Sequence, residues 1–591
     1  MRYLPLGLLL IWACTIPATD ASAPLFADTY TQGQSVRVCV DGPATSERDA
    51  RNPFLHYRLD LDLTHTGQTQ RIPGYYAADG DAADSGADAG GTWCVRFRPE
   101  MPGSYTYTLR LQQGDSIALR DTSGELLHES TGRFEAVASD FAGFLRYHPS
   151  GYPRYSQSGA PFLKGGTNSP ENLLAYADID GTYSIDSSKQ FLKTYAAHVA
   201  DWQPGDPTWR DGKGKGLIGG LNYLAAQSVN AVYFVTLNIG GDARDVFPYP
   251  THTDRTRFDV SKLAQWNRVF AHAQNQGILL HVVTQETENE TLLDGGAVGP
   301  ERQLYYRELV ARFGHHPLLL WNLGEENGQV DWNDDPAQTD AQRRAMLDWF
   351  AQNDPYRHPV LIHTQPHRSG KTLVLDPLLG NDRLDGVSLQ VGAPSDVYDD
   401  VRQWARRSDS TGHRWLLAMD EIGPWYSGSL SDDVDPAHDT LRRDVLYPAL
   451  LGGCWGVEWY FGWHTPQNDL NAEDWRSRER LWQQTKVALD LFRTLPLPNM
   501  RPVDGLTDLS NVRVLAQPDQ RYLLYLPDGQ IPTVDLRDAG GSYTVTLIDP
   551  RTGERTTSSP VSTLRGGTRA RVPVPARLGG TDWLLLLERV D

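Results

Sequence analysis

Apolar and polar residues follow three successive patterns along the chain. In the first, stretches with a period of two predominate, among them SVRVCV, FLHYRLDLDLT, GTWCVRFRPE, GSYTYTLRLQQ and GRFEAVA. This period is typical of strands with one buried face, and the Gly, Pro and Asp clusters between them predict turns. The pattern therefore predicts an N-terminal β-sandwich over residues 24–140. The acidic stretch DGDAADSGADAGG (79–91) predicts a flexible, solvated loop.

From residue 161 the pattern changes to short apolar runs that alternate with helical periodicity. The runs predict buried strands at residues 161–168, 230–238, 277–286, 316–322, 358–364, 384–390, 413–421 and 453–461. Helices are predicted at 189–202, 261–276, 303–313, 341–352 and 477–495, and a loop insertion at 204–216. Eight strands in alternation with helices predict a (β/α)8 TIM barrel over residues 141–498. A doubly wound open sheet is the alternative, but GGTN after the first run lacks the GxGxxG spacing.

The last segment, residues 499–591, is again a β-rich pattern. Its clearest strands are NVRVLAQ, RYLLYLP, SYTVTLIDPRTGE and DWLLLLERV. They predict a C-terminal β-sandwich. The predicted fold class is thus α/β, a TIM barrel flanked by two β-sandwich domains.

The first 23 residues have the form of a signal peptide. Arg2 precedes an apolar run that is too short to span a bilayer, and the small residues Ala21-Ser22-Ala23 follow it. We therefore expect an exported protein, periplasmic or extracellular, without a membrane span. Residues 11–14 loosely resemble a lipoprotein cleavage box, so lipid attachment through Cys14 is an alternative.

Export permits disulfide formation. Cys39 and Cys94 both lie in predicted strands of the N-terminal sandwich, and we predict a disulfide between them. Cys454 lies in an apolar run without a candidate partner, which favours an inert buried thiol. The net charge of −19 argues against a nucleic-acid partner.

Carboxylates, amides and aromatic residues gather where the predicted barrel strands end, and barrel enzymes place their sites there. WNLGEEN (321–327) ends strand four, and HRWLLAMDEIGPW (413–425) ends strand seven. Carboxylates act as acid, base or nucleophile at an anomeric carbon, while amides bind hydroxyl groups and flat rings cover sugar faces. The predicted substrate-binding residues are Asn168, Asn238, Asp242, Gln285, Glu286, Glu288, Asn322, Glu325, Asn327, His363, Gln390, Trp425, Tyr426, Trp459 and Tyr460.

WNLGEEN resembles the strand-four motif of clan A retaining glycoside hydrolases, and DEIG resembles their strand-seven motif. The resemblance implies that Glu326 is the acid/base and Glu421 the nucleophile. The chain departs from the motif at Glu325, where an Asn that contacts the substrate 2-hydroxyl normally stands. Asn327 and Asn322 are the candidates to replace that contact.

More closely, the mature chain resembles a bacterial family of exported proteins with three domains. The stretches that carry the resemblance are FLKGGTNSPENLLAY, LNIGGD, QETENE, GVEWYFGW and DWRSRERLWQQT. That family has an N-terminal sandwich of unknown function, an apiosidase-like barrel and a C-terminal sandwich labelled as collagen-binding. The resemblance implies a secreted enzyme that hydrolyses O-glycosidic bonds of a poly- or oligosaccharide. The alternative is a non-catalytic protein that binds carbohydrate or matrix.

Strands four and seven lie across the barrel mouth from each other. A carboxyl separation of about 5–5.5 Å implies retention of configuration, and one of roughly 6.5–9.5 Å implies inversion. Glu325 and Asp420 compete with Glu326 and Glu421, but adjacent strand residues point to opposite sides. The strand ends offer His363 without a His-x-His pair, so we predict no metal and no cofactor. The sugar, the linkage and the oligomeric state are not predicted.

Overall fold

The computed structural model describes residues 25–120, 122–188, 191–557, 563–572 and 581–590. The predicted signal peptide, with Cys14, lies outside the described residues. Within the described ranges, no helix has the length and apolar character needed to cross a bilayer.

The N-terminal domain consists of two packed sheets. The larger sheet runs, in spatial order, Thr29–Thr31, Glu125–Val137, Gly103–Gln113, Tyr57–His65 and Gln68–Pro73. The second contains Val36–Ser46, Ala89–Phe97 and Tyr75–Tyr76. Alternate residues of the strand Tyr57–His65, namely Leu59, Leu61 and Leu63, are buried, as the period of two predicts. Cys39 lies opposite Cys94 in the second sheet, with Cα atoms 4.1 Å apart, and a disulfide joins them.

Eight parallel strands close into a barrel in the order of the sequence. They are β1 (Lys164–Thr167), β2 (Ala231–Val235), β3 (Leu279–Val283), β4 (Leu319–Asn322), β5 (Val360–His363), β6 (Gly386–Val391), β7 (Leu416–Ile422) and β8 (Gly456–Trp459). Closure is made by β8, which pairs with β1. Each strand lies inside a predicted apolar run or within a residue of its end, and the predicted fold class is confirmed.

A helix follows each strand of the barrel. These are α1 (Lys215–Ala226), α2 (Val260–Asn275), α3 (Pro300–Phe313), α4 (Asp340–Asn353), α5 (Arg368–Leu375), α6 (Val397–Asp409), α7 (Tyr447–Gly452, after a π-helical turn at Leu441–Leu446) and α8 (Glu479–Arg493). Local chemistry sets several starts: Asp259 accepts a hydrogen bond from the Lys262 N–H of α2, and Thr339 forms a capping box with Gln342 at α4.

The helix predicted over residues 189–202 is wrong. The described part forms only a short 3₁₀ helix at Ala196–Asp201, and α1 instead begins at Lys215, near the end of the predicted insertion. Tyr195 has a φ of 48°, outside the helical region. In addition, the Glu473 carboxylate accepts hydrogen bonds from the N–H groups of Thr194 and Tyr195, so these donors are held by a distant segment.

Short elements complete the fold. Two short α-helices lie at Pro53–His56 and Ala82–Ser85, and Leu145–Arg146 pairs with Arg154–Tyr155. The 3₁₀ helices other than Ala196–Asp201 are Ile117–Leu119, Thr287–Asn289, Asp294–Gly296, Asp376–Leu378, Pro394–Asp396, Trp475–Arg478 and Leu497–Asn499.

The C-terminal domain is built on a second set of sheets. Its larger sheet contains Arg501–Pro502, Arg513–Gln517, Arg521–Leu526, Trp583–Arg589, Ser542–Ile548, Arg555–Thr557 and Thr563–Arg565, and Thr533–Asp535 pairs with Arg569–Arg571. Arg442 of the barrel forms a buried ion pair with Asp582 at 2.8 Å, and Tyr525 donates a hydrogen bond to the same carboxylate. The domain is therefore fixed to the barrel next to α7.

The N-terminal domain packs directly on α2 and α3. Phe54 meets Phe258 edge to face at 5.2 Å, and Arg312 donates a hydrogen bond to the Tyr76 carbonyl. The stretch 79–91, predicted as a flexible loop, belongs to this contact. Asp84 forms an ion pair with Arg268 of α2, so the acidic loop is ordered by a basic partner that lies far away in sequence.

Candidate active site

Two glutamates face each other over the mouth of the barrel. Glu326 follows β4 and Glu421 lies near the end of β7. The side-chain amide of Gln390 at the end of β6 donates one hydrogen bond to each: Nε2 lies 2.7 Å from Glu326 Oε1 and 2.5 Å from Glu421 Oε1. These two oxygens are therefore at most about 5.2 Å apart, the sum of the two distances.

His363 at the end of β5 supports this pair. Its Nδ1 accepts a hydrogen bond from the Glu326 N–H at 3.0 Å, so the neutral ring carries its hydrogen on Nε2. Nε2 lies 3.6 Å from Glu421 Oε2. Burial lowers the pKa of His363 well below its usual value, which keeps the ring neutral. Glu326 has a φ of 41°, a left-handed conformation uncommon for a residue other than glycine.

The neighbour of Glu421 in the strand points the other way. Asp420 lies inside the barrel, where it accepts hydrogen bonds from Lys164 Nζ at 2.6 Å and Ser388 Oγ at 2.7 Å. Lys164 also lies 3.1 Å from Glu458. Lys164, Asp420 and Glu458 thus form a buried polar layer below the mouth. An irregularity in the pairing of β6 with β7 places Gln390 opposite Glu421, and this leaves Glu421, and not Asp420, beside Glu326.

A second group of carboxylates adjoins the pair. Oxygens of Glu171, Glu286 and Glu325 lie within 4.8 Å of one another. Tyr233 of β2 donates a hydrogen bond to Glu325 at 3.0 Å. Glu325 also belongs to a group with His363 and Glu421 in which the ligand atoms lie within 4.8 Å of one another, so the two sets of acids are continuous.

Burial and mutual repulsion raise the pKa values of these acids. Burial, followed by the Glu325 charge, raises the pKa of Glu326 well above its usual value. Burial and the charge of Glu326 also raise the pKa of Glu421, while the Gln390 hydrogen bond lowers it. Burial raises the pKa of Glu325 to about 8. A proton on Glu326 removes its charge and so favours ionisation of Glu421.

Four predicted substrate contacts do not face the mouth. Asn238 binds the N–H groups of Asp245 and Val246 within its own loop. The buried side chains of the others are held by structural partners: Gln285 by Gln338 and Arg302, Asn322 by His281 in the barrel core, and Asn327 by Arg343 of α4. The structure does not bring these four side chains to the glutamate pair, because a polar residue at a strand end can also point towards the helices or the core.

The other predicted residues lie near the site. Asn168 donates a hydrogen bond to the Asp420 carbonyl at 2.7 Å, and the Asp242 N–H donates one to Glu286. Glu288 is half-buried, and its charge raises the pKa of Glu286 after burial has done so.

The aromatic residues predicted to cover a sugar differ in exposure. Trp425 and Tyr426 are 60% and 49% exposed, and Tyr460 donates a hydrogen bond to the Trp425 carbonyl. Trp459, by contrast, is fully buried, and its indole N–H donates to Thr485 of α8. Its ring lies on the helix side of β8, so it cannot cover a sugar at the mouth.

Sequence reasoning missed three residues of the site. Tyr233 lies inside an apolar strand, where nothing distinguishes it from core. Glu171 stands seven positions after Lys164 in the loop that follows β1, and Asp469 lies in the long loop after β8. Glu171 could have been found from the polar stretch TNSPEN directly after a strand. Burial raises the pKa of Asp469 to about 8, and Ser169 donates a hydrogen bond to it.

Three buried groups in the described residues have metal-ligand spacing. In the first, formed by His281, Asp420 and Glu458, Lys164 already supplies the positive charge. The other two are the acidic groups at the mouth, both of which include Glu325. The two acidic groups remain the positions at which a cation would be held.

Solved structures with the same fold are glycoside hydrolases by name. A protein from Bacteroides vulgatus ATCC 8482 named "putative glycoside hydrolase" has a TM-score of 0.66 at 14% identity over 95% of this chain and 100% of its own. A structure named glycoside hydrolase has a TM-score of 0.53 at 14% identity over 76% and 97% of the two chains. A glycoside hydrolase family 5 protein from Bacteroides vulgatus has a TM-score of 0.51 at 14% identity over 76% and 94%.

Sequence comparison adds the N-terminal domain. Residues 34–112 match the model of a domain of unknown function, DUF5060. No curated protein matches the chain in sequence. At the identities of the solved structures, the likeness shows the fold, a TIM barrel with β-rich flanking domains.

Proposed function

We propose that this protein is a glycoside hydrolase that cleaves O-glycosidic bonds of a poly- or oligosaccharide with retention of configuration. One observation carries the proposal: Glu326 and Glu421, from β4 and β7, share the Gln390 amide, with their bound oxygens at most about 5.2 Å apart. A separation of about 5–5.5 Å suits direct attack by one carboxylate, whereas inversion needs room for water.

In the first step Glu421 attacks the anomeric carbon while Glu326 gives its proton to the glycosidic oxygen. The bond to the leaving sugar breaks, and a covalent glycosyl–enzyme forms through a Glu421 oxygen. In the second step Glu326, now ionised, takes a proton from a water molecule, and the oxygen of that water attacks the same carbon. The bond to Glu421 breaks, and the sugar leaves with its original configuration.

The electrostatics support these roles. Glu326 must hold a proton before the reaction, and burial together with the adjacent Glu325 raises its pKa. Glu421 must be ionised, and the Gln390 N–H stabilises that form. His363 Nε2 lies 3.6 Å from Glu421 Oε2, and it has no hydrogen-bond partner among the described residues. These effects favour a proton on Glu326 and an ionised Glu421.

Glu326 is preferred to Glu325 as the acid/base. Glu325 accepts the Tyr233 hydroxyl and lies among other carboxylates, and it is 5% exposed. Glu326 is half-buried and open to the mouth, where a glycosidic oxygen can reach it. Both lie near Glu421, so only an experiment that separates them tests the assignment.

The test uses Glu326→Ala, Glu421→Ala and, as the matched control, Glu325→Ala, each assayed with an activated aryl glycoside and azide. We expect azide to restore activity to Glu326→Ala with a retained glycosyl azide, and to Glu421→Ala with an inverted one. Glu325→Ala is expected to give no azide adduct. A retained azide from Glu325→Ala would move the acid/base role to that residue, and inverted product from the native protein would refute retention.

We also propose that the protein acts outside the cytoplasm. The signal-like N-terminus and the Cys39–Cys94 bond support this. Fractionation of producing cells, with N-terminal sequencing of the mature protein, tests the location; a cytoplasmic chain that retains residues 1–23 would refute it.

A further inference from the structure

The site contains more carboxyl groups than retaining hydrolysis needs. Beyond Glu326 and Glu421, oxygens of Glu171, Glu286 and Glu325 lie within 4.8 Å of one another. They come from three parts of the barrel rim, the loop after β1 and the ends of β3 and β4. The three side chains are 6%, 5% and 5% exposed, so they are deep but still reached from the mouth.

No lysine or arginine in the described part of the chain forms an ion pair with these three acids. The nearby Lys193 donates its hydrogen bonds to Asn172 and to the Phe191 carbonyl. Burial and the neighbouring acids raise the pKa of Glu171 and of Glu286 well above the usual value. Bringing buried carboxylates together without a cation is costly, and a cation supplied by a ligand would offset that cost.

A second observation is independent of the acids. Gln390 is 4% exposed, and its amide lies between Glu326 and Glu421, yet its Oε1 has no hydrogen-bond partner among the described residues. The same holds for Oδ1 of Asn168, which is 1% exposed. Buried acceptors are rarely left unpaired. The site thus has a surplus of acceptors, and a matching ligand must bring hydrogen-bond donors.

We propose that Glu171, Glu286 and Glu325 bind the ammonium group of an amino sugar in the substrate. This inference rests on the proposed function and names its substrate class. An ammonium has three N–H donors and no acceptor. Three oxygens at about 2.8 Å from a tetrahedral nitrogen are about 4.6 Å apart, and the three acids are close enough together for this, with oxygens within 4.8 Å of one another. Glu325 lies within 4.8 Å of both Glu421 and His363, so the bound amine belongs to the sugar next to the cleaved bond.

A divalent metal ion fits the same acids less well. Calcium takes six to eight oxygen ligands, and magnesium needs a near-octahedral set. The group offers three carboxyl groups and the Tyr233 hydroxyl, whose hydrogen already points to Glu325. An ammonium is satisfied by the three acids alone.

Binding is measured first, by calorimetry on the Glu421→Gln protein, so that it does not depend on turnover. The probes are glucosamine and galactosamine oligomers with free amines, the same oligomers after N-acetylation, and neutral glucose and galactose oligomers. We expect a free-amine oligomer to bind at least about tenfold more tightly than its acetylated form, the effect of one charge-assisted hydrogen bond. Equal affinities, or a preference for acetylated or neutral oligomers, would overturn the inference.

A variant locates the effect. Glu171→Gln is expected to reduce the ratio of free-amine to acetylated affinity at least about threefold, while the exposed Glu135→Gln of the N-terminal sandwich leaves it unchanged. A melting temperature for each variant shows that it is folded. An unchanged ratio in folded Glu171→Gln and Glu286→Gln proteins would refute the assignment of these acids.

Two further measurements separate the possible failures. Turnover of the same oligomers by the native protein tests hydrolysis alone: cleavage of neutral oligomers without amine preference keeps the proposed function and removes the inference. Amine-selective binding without cleavage of any glycoside would keep the assignment of the amine site and remove the proposed function. Calcium alone is titrated as well, and tight calcium binding that Glu171→Gln abolishes would show that the acids form a metal site instead.

Discussion

Lys164 is expected to be the residue on which the barrel core most depends. Its ammonium is fully buried, 2.6 Å from Asp420 Oδ1 and 3.1 Å from Glu458 Oε2, and 4.7 Å from the centre of the Trp455 ring. Lys164→Met keeps the length of the side chain but removes the cation. Two carboxyl groups then remain without their charge partner in the barrel interior. Breaking a buried ion pair in this way costs about 3–5 kcal/mol, which we expect as the loss in free energy of unfolding at pH 8.

The loss should depend on pH, with a sign that follows from the carboxyl groups. In the native protein, burial raises the pKa of Glu458 to about 7, while Lys164 lowers it. A raised acid pKa makes the folded state hold protons that the unfolded state releases, so stability falls as pH rises from about 4.5 towards 7. Without Lys164 the pKa values of Glu458 and Asp420 rise further, and the decline continues above pH 7. Each extra proton held adds about 1.4 kcal/mol per pH unit.

Urea unfolding of the two proteins, followed by tryptophan fluorescence at pH 5, 7 and 8, measures this. The matched control is Lys486→Met, which removes a half-exposed ammonium paired with Asp490 and should cost less than about 1 kcal/mol at every pH. The reasoning fails if Lys164→Met is as stable as the control at pH 8, or if its loss is the same at all three pH values.

Three other changes have defined outcomes. Gln390→Leu removes the donor to both catalytic glutamates, so we expect kcat/KM to fall about 10–150-fold. The acidic limb of the pH profile should move to higher pH, because the Gln390 hydrogen bond lowers the pKa of Glu421 in the native protein. A limb that does not move would contradict this. Trp425→Ala should weaken substrate binding by about 1–3 kcal/mol without a change in melting temperature. Trp459→Ala should instead lower the free energy of unfolding by about 3–5 kcal/mol. Weaker binding in Trp459→Ala with unchanged stability would show that Trp459 contacts the substrate. Asp582→Asn leaves the buried Arg442 without its charge partner and should destabilise the attachment of the C-terminal sandwich by about 3 kcal/mol. We expect faster limited proteolysis, with turnover per folded molecule retained. Loss of turnover in folded protein would contradict this.

The eight barrel strands could be predicted because each is an uninterrupted apolar run with polar residues at its end. The helix over 189–202 could not be judged from its pattern, because its backbone donors are held by Glu473, nearly three hundred positions away. The true helix α1 contains Gly216, Gly219 and Gly220, which a propensity argument counts against a helix. A Cβ on Gly219 would lie 2.0 Å from the His198 carbonyl oxygen, so glycine serves close packing there.

For the candidate site, the sequence predicts which types of residue are present but not which side chains meet. Placement at a strand end does not say whether a side chain points to the mouth, the core or the helices. Asn322 is held by His281 in the core, whereas Asn327 and Gln285 are held by arginines of helices. The Trp459 side chain likewise points to the helices, where its indole N–H donates a hydrogen bond to Thr485. Glu171 and Asp469 come from loops, whose course depends on tertiary contacts and not on local periodicity.

The two sandwiches are attached to the barrel in different ways, and this bears on how such genes can recombine. The apolar core of the N-terminal sandwich is continuous with that of the barrel, whereas the C-terminal sandwich joins this core with one face only and has a second core of its own. The residues of the joined face are Leu515, Leu523, Tyr525, Ile548, Leu584 and Leu586. Glu47 of the N-terminal domain even accepts the N–H of Val260 in the first turn of α2. Replacing the first domain by an unrelated one would leave apolar surface and a helix start without their partners. Exchange near residue 500 would leave the second core whole, but a new C-terminal domain would have to offer an apolar face to the barrel and an acid to Arg442.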